Sequence, residues 1–191
     1  MKKLINDTTT VRQFIELSLF YDLSEYADML RQAPRPDVLG GVGVPESLDW
    51  ITVKQRFMLS EISTDIDYLF LPPEIILRHQ RATIEGLPVL SVVGLSNFAV
   101  NELKRFSEAE AELSRLNPPS DEERQAGVEG MPKDRFAVVD AIVKSRPGTY
   151  THEQVLNLTV ADVYAMQRID TYAAIYAKRL HKILTKKYTT R

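Results

Sequence analysis

The chain has 191 residues, 44% of them hydrophobic and 26% charged, enough for one domain or one domain with an appendage. Its formal net charge of −2 gives no whole-molecule attraction to nucleic acid or to an anionic membrane. Cysteine is absent, which excludes disulfides, thiolate catalysis and Cys-ligated metal sites and fits a reducing compartment.

In residues 10–33, Phe14, Leu17, Tyr21, Leu23, Tyr26, Met29 and Leu30 recur mostly at spacings of three and four. That periodicity predicts one or two helices. Residues 34–49 hold three prolines and three glycines and read as a loop. A helix is expected over 53–69, with Leu59, Ile62, Ile66 and Leu69 on one face and Pro72-Pro73 as its stop. A short helix over 74–81 would carry Pro73 in its first turn. The apolar run 87–95 is the best strand candidate, with Pro88 at its start or on an edge.

Helical spacing resumes over 97–116, where the later half is polar and suits a surface position. Residues 117–134 read as a linker with a short acidic turn at 120–125. Phe136, Val139, Ile142 and Val143 predict a helix that Arg146-Pro147-Gly148 stops. A short helix follows over 151–156, then a long one over 159–187. The core stripe of the long helix would be Val163, Met166, Asp170, Ala173, Ala177, Leu180 and Leu184. The expected fold is mainly α, a multi-helix globular domain with long loops, at most a small β element and a long C-terminal helix. Its organisation would be a helical region over 1–116, a linker over 117–134 and a helical region over 135–191, or one continuous domain.

The sequence Thr-x-x-Gln occurs at Thr10, Thr52 and Thr151, and Thr159-x-x-Asp162 is a shorter-armed version. A threonine at an N-cap accepts a backbone N–H one turn on, and Gln three residues later can reach back to the cap. These threonines therefore mark helix starts. Thr10 and Thr52 share the longer form Thr-Val-Arg/Lys-Gln, with Leu-Ser following at 17–18 and at 59–60. A duplicated helical unit is the alternative reading, although the copies are too unevenly spaced for a solenoid.

No catalytic motif is found. His79, His152 and His181 lie far apart in sequence. Asp65 and Asp67 diverge on a helix, and no calcium-loop pattern follows them. Gly40-Gly41-Val42-Gly43 lacks the Gly-Lys-Ser/Thr ending of a phosphate loop, and residues 94–98 lack the second glycine of a nucleophile elbow. No metal, cofactor or catalytic residue is therefore expected. The basic residues of 178–191 complement a helix C-terminus, with contact to nucleic acid or an acidic partner as the other reading. The last helix also carries Tyr164, Tyr172, Ile175 and Tyr176 away from its core stripe. A helix with two apolar faces is either central or shared with a partner, so these four are the candidate partner-binding residues.

Segments 10–17 and 51–62, with the closing Thr-Tyr-Thr-His-Glu-Gln-Val-Leu-Asn-Leu-Thr-Val-Ala-Asp-Val-Tyr-Ala-Met-Gln of 149–167, resemble parts of tailed-phage tail assembly chaperones. The resemblance implies a non-enzymatic protein of the infected host cytoplasm. Such a protein shields a helical tape-measure protein and helps recruit tail-tube subunits. A structural virion subunit (neck, connector or tail completion) is the alternative, with a small enzyme or a nucleic-acid binder behind it. A homo-oligomer is compatible with either assembly reading. The first ten residues lack the apolar core of a secretory signal, and the run 87–95 is short of the roughly 20 residues that span a bilayer. A cytoplasmic protein without membrane contact is the expectation.

Overall fold

The computed structural model describes residues 4–130 and 135–189. Among these the fold is mainly α, with ten α-helices and one two-stranded hairpin. The chain divides into two units: Met1–Ile51 with Gln55–Arg105, and Thr52–Lys54 with Phe106–Arg191.

The first unit begins with α1 (Val11–Ser18), a 3-10 turn (Ser24–Tyr26) and α2 (Ala27–Arg31). The small β element lies at 38–43 and not at 87–95. Here β1 (Val38–Leu39) pairs antiparallel with β2 (Val42–Gly43) through a two-residue turn. Gly40 and Gly41 occupy that turn with φ of 57° and 79°, the left-handed pair a tight hairpin requires. The rest of the Pro/Gly segment is tied down. Arg35 donates to the Pro45 carbonyl at 2.7 Å, and the Val44 N–H donates to Asp37 O at 2.8 Å.

The expected helix over 53–69 is broken in two. Helix α3 (Val53–Ser60) ends, and α4 (Asp65–Ile76) restarts behind Thr64, whose hydroxyl accepts the Asp67 N–H at 3.0 Å. Pro72 and Pro73 do not stop α4; they are buried inside it. Proline removes a donor, so the carbonyl four residues earlier loses its partner. For Pro72 that carbonyl is Tyr68 O, and the fully buried Ser96 hydroxyl donates to it at 2.5 Å. The helix ends beyond the prolines instead, where Arg78 takes a left-handed φ of 56°. The short helix placed at 74–81 is therefore the end of α4, and α5 (Arg81–Glu85) is a separate turn.

The strand expected at 87–95 is the beginning of α6 (Val89–Leu116). Its poor alternation has a physical cause. Val89, Val92, Val93, Leu95, Ser96 and Ala99 are all buried, so this end of the helix is covered on nearly every side. Gly94 allows the closest approach, since a Cβ there would stand 1.9 Å from the Pro34 carbonyl oxygen. Asn97 holds the same segment, its side-chain amide lying within 3.2 Å of the Leu30, Arg31 and Ala33 carbonyls.

In the second unit, α7 (Asp121–Gln125) starts at a capping box between Ser120 and Glu123 and is followed by a 3-10 turn (Val128–Gly130). Residues 131–134 of the expected linker lie outside the described residues, as do residues 1–3. Helix α8 (Arg135–Ser145) ends before Pro147 and the left-handed Gly148. Helices α9 (His152–Leu156) and α10 (Val160–Thr189) complete the unit. Its core contains Phe106, Leu113, Val139, Ile142, Val155, Val160 and Val163.

Each unit contains the same junction. In the first, Thr10 bridges Pro88, and the Val11 N–H donates to Leu87 O at 2.9 Å. In the second, Thr52 bridges Thr159, and the Val53 N–H donates to Leu158 O at 3.0 Å. On one side of each junction stands Thr-Val-Arg/Lys-Gln. On the other stands a five-residue helix, then Gly86-Leu87-Pro88-Val89 or Asn157-Leu158-Thr159-Val160, then a long helix. The buried side chains match at a constant offset: Ile84 with Val155, Val89 with Val160, and Val92 with Val163. The helix before each five-residue turn, α4 or α8, stands at the same place in the order. The two junctions thus share a backbone hydrogen bond as well as the Thr-Val-Arg/Lys-Gln sequence.

Candidate interaction surface

The N-terminal turns of α10 are anchored. Thr159 accepts the Asp162 N–H at 3.1 Å, and Val160 and Val163 are buried. Thr10 and Thr151 each close a capping box with the glutamine three residues on. Thr52 takes its place in the antiparallel bridge to Thr159. Farther along α10, Arg146 forks onto Asp170 through two hydrogen bonds of 2.9 and 3.0 Å. Arg146 is the less exposed partner, and the bidentate geometry fixes this point of the helix against the end of α8.

Beyond Asp170 the helix emerges. Of the expected core stripe, Ala173, Ala177, Leu180 and Leu184 are exposed rather than packed. The reason is length: α10 has 30 residues and α8 only 11, so nothing in α8 runs alongside its last turns. Tyr164 and Ile175 are half-buried, whereas Tyr172 and Tyr176 are 53% and 68% exposed. The structure adds Ile169 (64%) and Ile183 (63%) to the exposed set. Ile169, Tyr176 and Ile183 are spaced by seven, with Tyr172 between the first two, so they form one stripe along the helix. That seven-residue spacing is the sequence signal that could have found the isoleucines.

Charge is uneven along the same helix. Residues 171–187 contain Lys178, Arg179, Lys182, Lys186 and Lys187 and no carboxylate. Lys178 reaches Glu123 of α7 at 2.9 Å. Glu123 is held below the usual carboxylate range, first by the Ser120 N–H and then by Lys178. The exposed stripe is thus an apolar seam flanked by positive charge.

The other sequence candidates stay apart. His79 faces the Leu39 carbonyl at 3.0 Å, and His152 lies 2.6 Å from Asp140. Among the described residues no group of three or more His, Asp or Glu side chains could hold a metal ion. Asp65 and Asp67 sit in the first turn of α4, Gly40 and Gly41 in the hairpin turn, and residues 94–98 inside α6. No described helix is long and apolar enough to cross a membrane.

Set against protein-family models, curated proteins and solved structures, the chain matches none.

Concave features occur in both units. A groove of about 360 Å³ in the first unit is lined mainly by apolar side chains of α1, α2, α4 and α6, among them Phe14, Ile15, Leu30, Ile66, Leu69 and Val93. A second, of about 350 Å³, lies in the other unit beside Leu113, Ile142 and Gln167. The Gln167 Oε1 there is buried without a hydrogen-bond partner among the described residues. The stripe on α10 leaves Ile169, Tyr172, Tyr176 and Ile183 in solvent.

Proposed function

We propose that this chain is a non-enzymatic assembly protein of a tailed phage or prophage, a tail assembly chaperone acting through protein–protein contacts. The observation that carries the reading is the stripe Ile169, Tyr172, Tyr176 and Ile183 on a helix that leaves its own core. Large apolar side chains at helical spacing are what an amphipathic partner helix packs against, and exposed tyrosines are enriched at such interfaces. The resemblance of segments 10–17, 51–62 and 149–167 to tail assembly chaperones supplies the partner class, a helical tape-measure or tail-tube protein. Co-expression with the tape-measure protein of the same genome tests it. The partner should become soluble and co-elute with this chain; a partner that stays insoluble, with no complex, contradicts the reading.

A structural virion subunit is the second reading. It is favoured by one observation: the distal half of α10 is exposed, whereas the matching stretch of α6 buries Phe106 and Leu113. Mass spectrometry of purified particles separates the two, since a chaperone is absent from them and a subunit is present.

A further inference from the structure

The matched junctions allow α6 and α10 to be compared residue by residue. From Val89 paired with Val160, Phe106 falls opposite Ala177 and Leu113 opposite Leu184. Phe106 and Leu113 belong to the second unit, where both are buried. The distal part of α6 therefore has a receiving surface. The corresponding part of α10 leaves Leu180, Ile183 and Leu184 exposed, together with Tyr172 and Tyr176 before them. The α6 stretch buries these two side chains, whereas the matching α10 positions, Ala177 and Leu184, are both exposed.

A receiving surface of complementary chemistry exists in the first unit. Its groove is apolar inside, with Asp65 in the lining. Residues 16–30, which supply one wall, contain Glu16, Asp22, Glu25 and Asp28, of which Asp28 is paired with Arg31 at 3.0 Å. Residues 171–187 of α10 contain five Lys or Arg and no acid. An apolar seam with basic flanks thus matches an apolar groove with acidic flanks. Pairing two α10 helices with each other would instead line one seam with positive charge from both sides.

We propose that the distal half of α10 from one copy of this chain docks in the apolar groove of the first unit of a second copy, so that copies associate head to tail. Donor and acceptor are different surfaces, which makes the contact heterologous and able to continue into a ring or a filament. The contact draws on few large side chains, which places it at the low end of specific interfaces and predicts affinity on the order of micromolar. It should weaken as salt rises, because its flanks are charged. The proposal rests on α10 being an interaction face; a client helix and a second copy would compete for it.

Sedimentation velocity over a concentration series tests this with two variants. One carries Tyr172→Asp, Tyr176→Asp and Ile183→Asp on the stripe. The other carries Ile66→Lys in the groove, at a position already 42% exposed. Circular dichroism melts confirm that each variant folds. The wild type should self-associate, each variant alone should lose more than tenfold in association constant, and an equimolar mixture should recover a heterodimer that grows no further. A wild type that stays monomeric, a variant that assembles unchanged, or a mixture without a dimer overturns the proposal. A monomeric wild type that still co-elutes with the tape-measure protein overturns the head-to-tail contact and leaves the assembly reading standing.

Discussion

Removing the Ser96 hydroxyl should expose how α4 tolerates two prolines. Pro72 leaves Tyr68 O without its helical donor, and the Ser96 hydroxyl supplies one at 2.5 Å from a side chain with no solvent exposure. Ser96→Ala would leave that carbonyl unsatisfied, at a cost of about 1–3 kcal/mol. The hydroxyl's other acceptor, Val92 O at 3.1 Å, loses little, because it already receives a bond within α6. Pro72→Ala restores an N–H one turn from Tyr68 O and makes the hydroxyl redundant. In that background Ser96→Ala should cost less than about 0.5 kcal/mol, giving a coupling of about 1–2 kcal/mol between the sites. Trp50 is the sole tryptophan and lies in the first unit, so urea melts followed by its fluorescence report on this unit. If Ser96→Ala costs the same with and without Pro72, the hydroxyl is not replacing the missing donor, and the account of the proline-containing helix is wrong.

Gly94→Ala should destabilise the first unit by about 1–3 kcal/mol, because its Cβ would meet the backbone of Pro34, which cannot rotate away. An ordinary helical glycine would gain nearly 1 kcal/mol from the same change, so the sign decides the matter. Gly43→Ala, with open space around the Cβ, is the control and should change the urea midpoint little. Asp140 is held below its usual value by its hydrogen bond to His152 and then by Lys144. A carboxylate with a depressed folded pKa contributes stability above its unfolded value of 3.8 and loses it as pH falls through the lower folded value. Asp140→Asn should therefore flatten that part of an acid-unfolding profile, and an unchanged profile would count against the pair.

What could be read from the sequence was local. The mainly α character and the long last helix follow from apolar spacing, and the stop of α8 lies in Arg146-Pro147-Gly148 itself. What escaped depends on residues distant in sequence. Pro72 looks like a helix stop until Ser96, 28 residues beyond the carbonyl it serves, is placed beside it. The start of α6 looks like a poor strand because its all-round burial depends on Pro34 passing over Gly94. The turn at Gly40-Gly41 is locally encoded, yet its strands are only two residues long, too short to show a period.

The α10 stripe shows a further limit. Periodicity places Val163 and Leu184 on related faces, but only the lengths of the neighbouring helices decide that Val163 is buried and Leu184 exposed. The same holds for Tyr172 and Tyr176, which spacing alone leaves between core and surface. The two junctions are legible as repeated Thr-Val-Arg/Lys-Gln, yet their shared meaning appears only when each meets its Leu-x-Val partner.

The most direct test of the account is co-elution of this chain with the tape-measure protein of its own genome, wild type against the Tyr172→Asp, Tyr176→Asp, Ile183→Asp variant. The account predicts a stable complex for the wild type and at least a tenfold loss of bound partner for the folded variant. Equal complex formation by both would remove α10 as the binding surface, and no complex with either would contradict the assembly function.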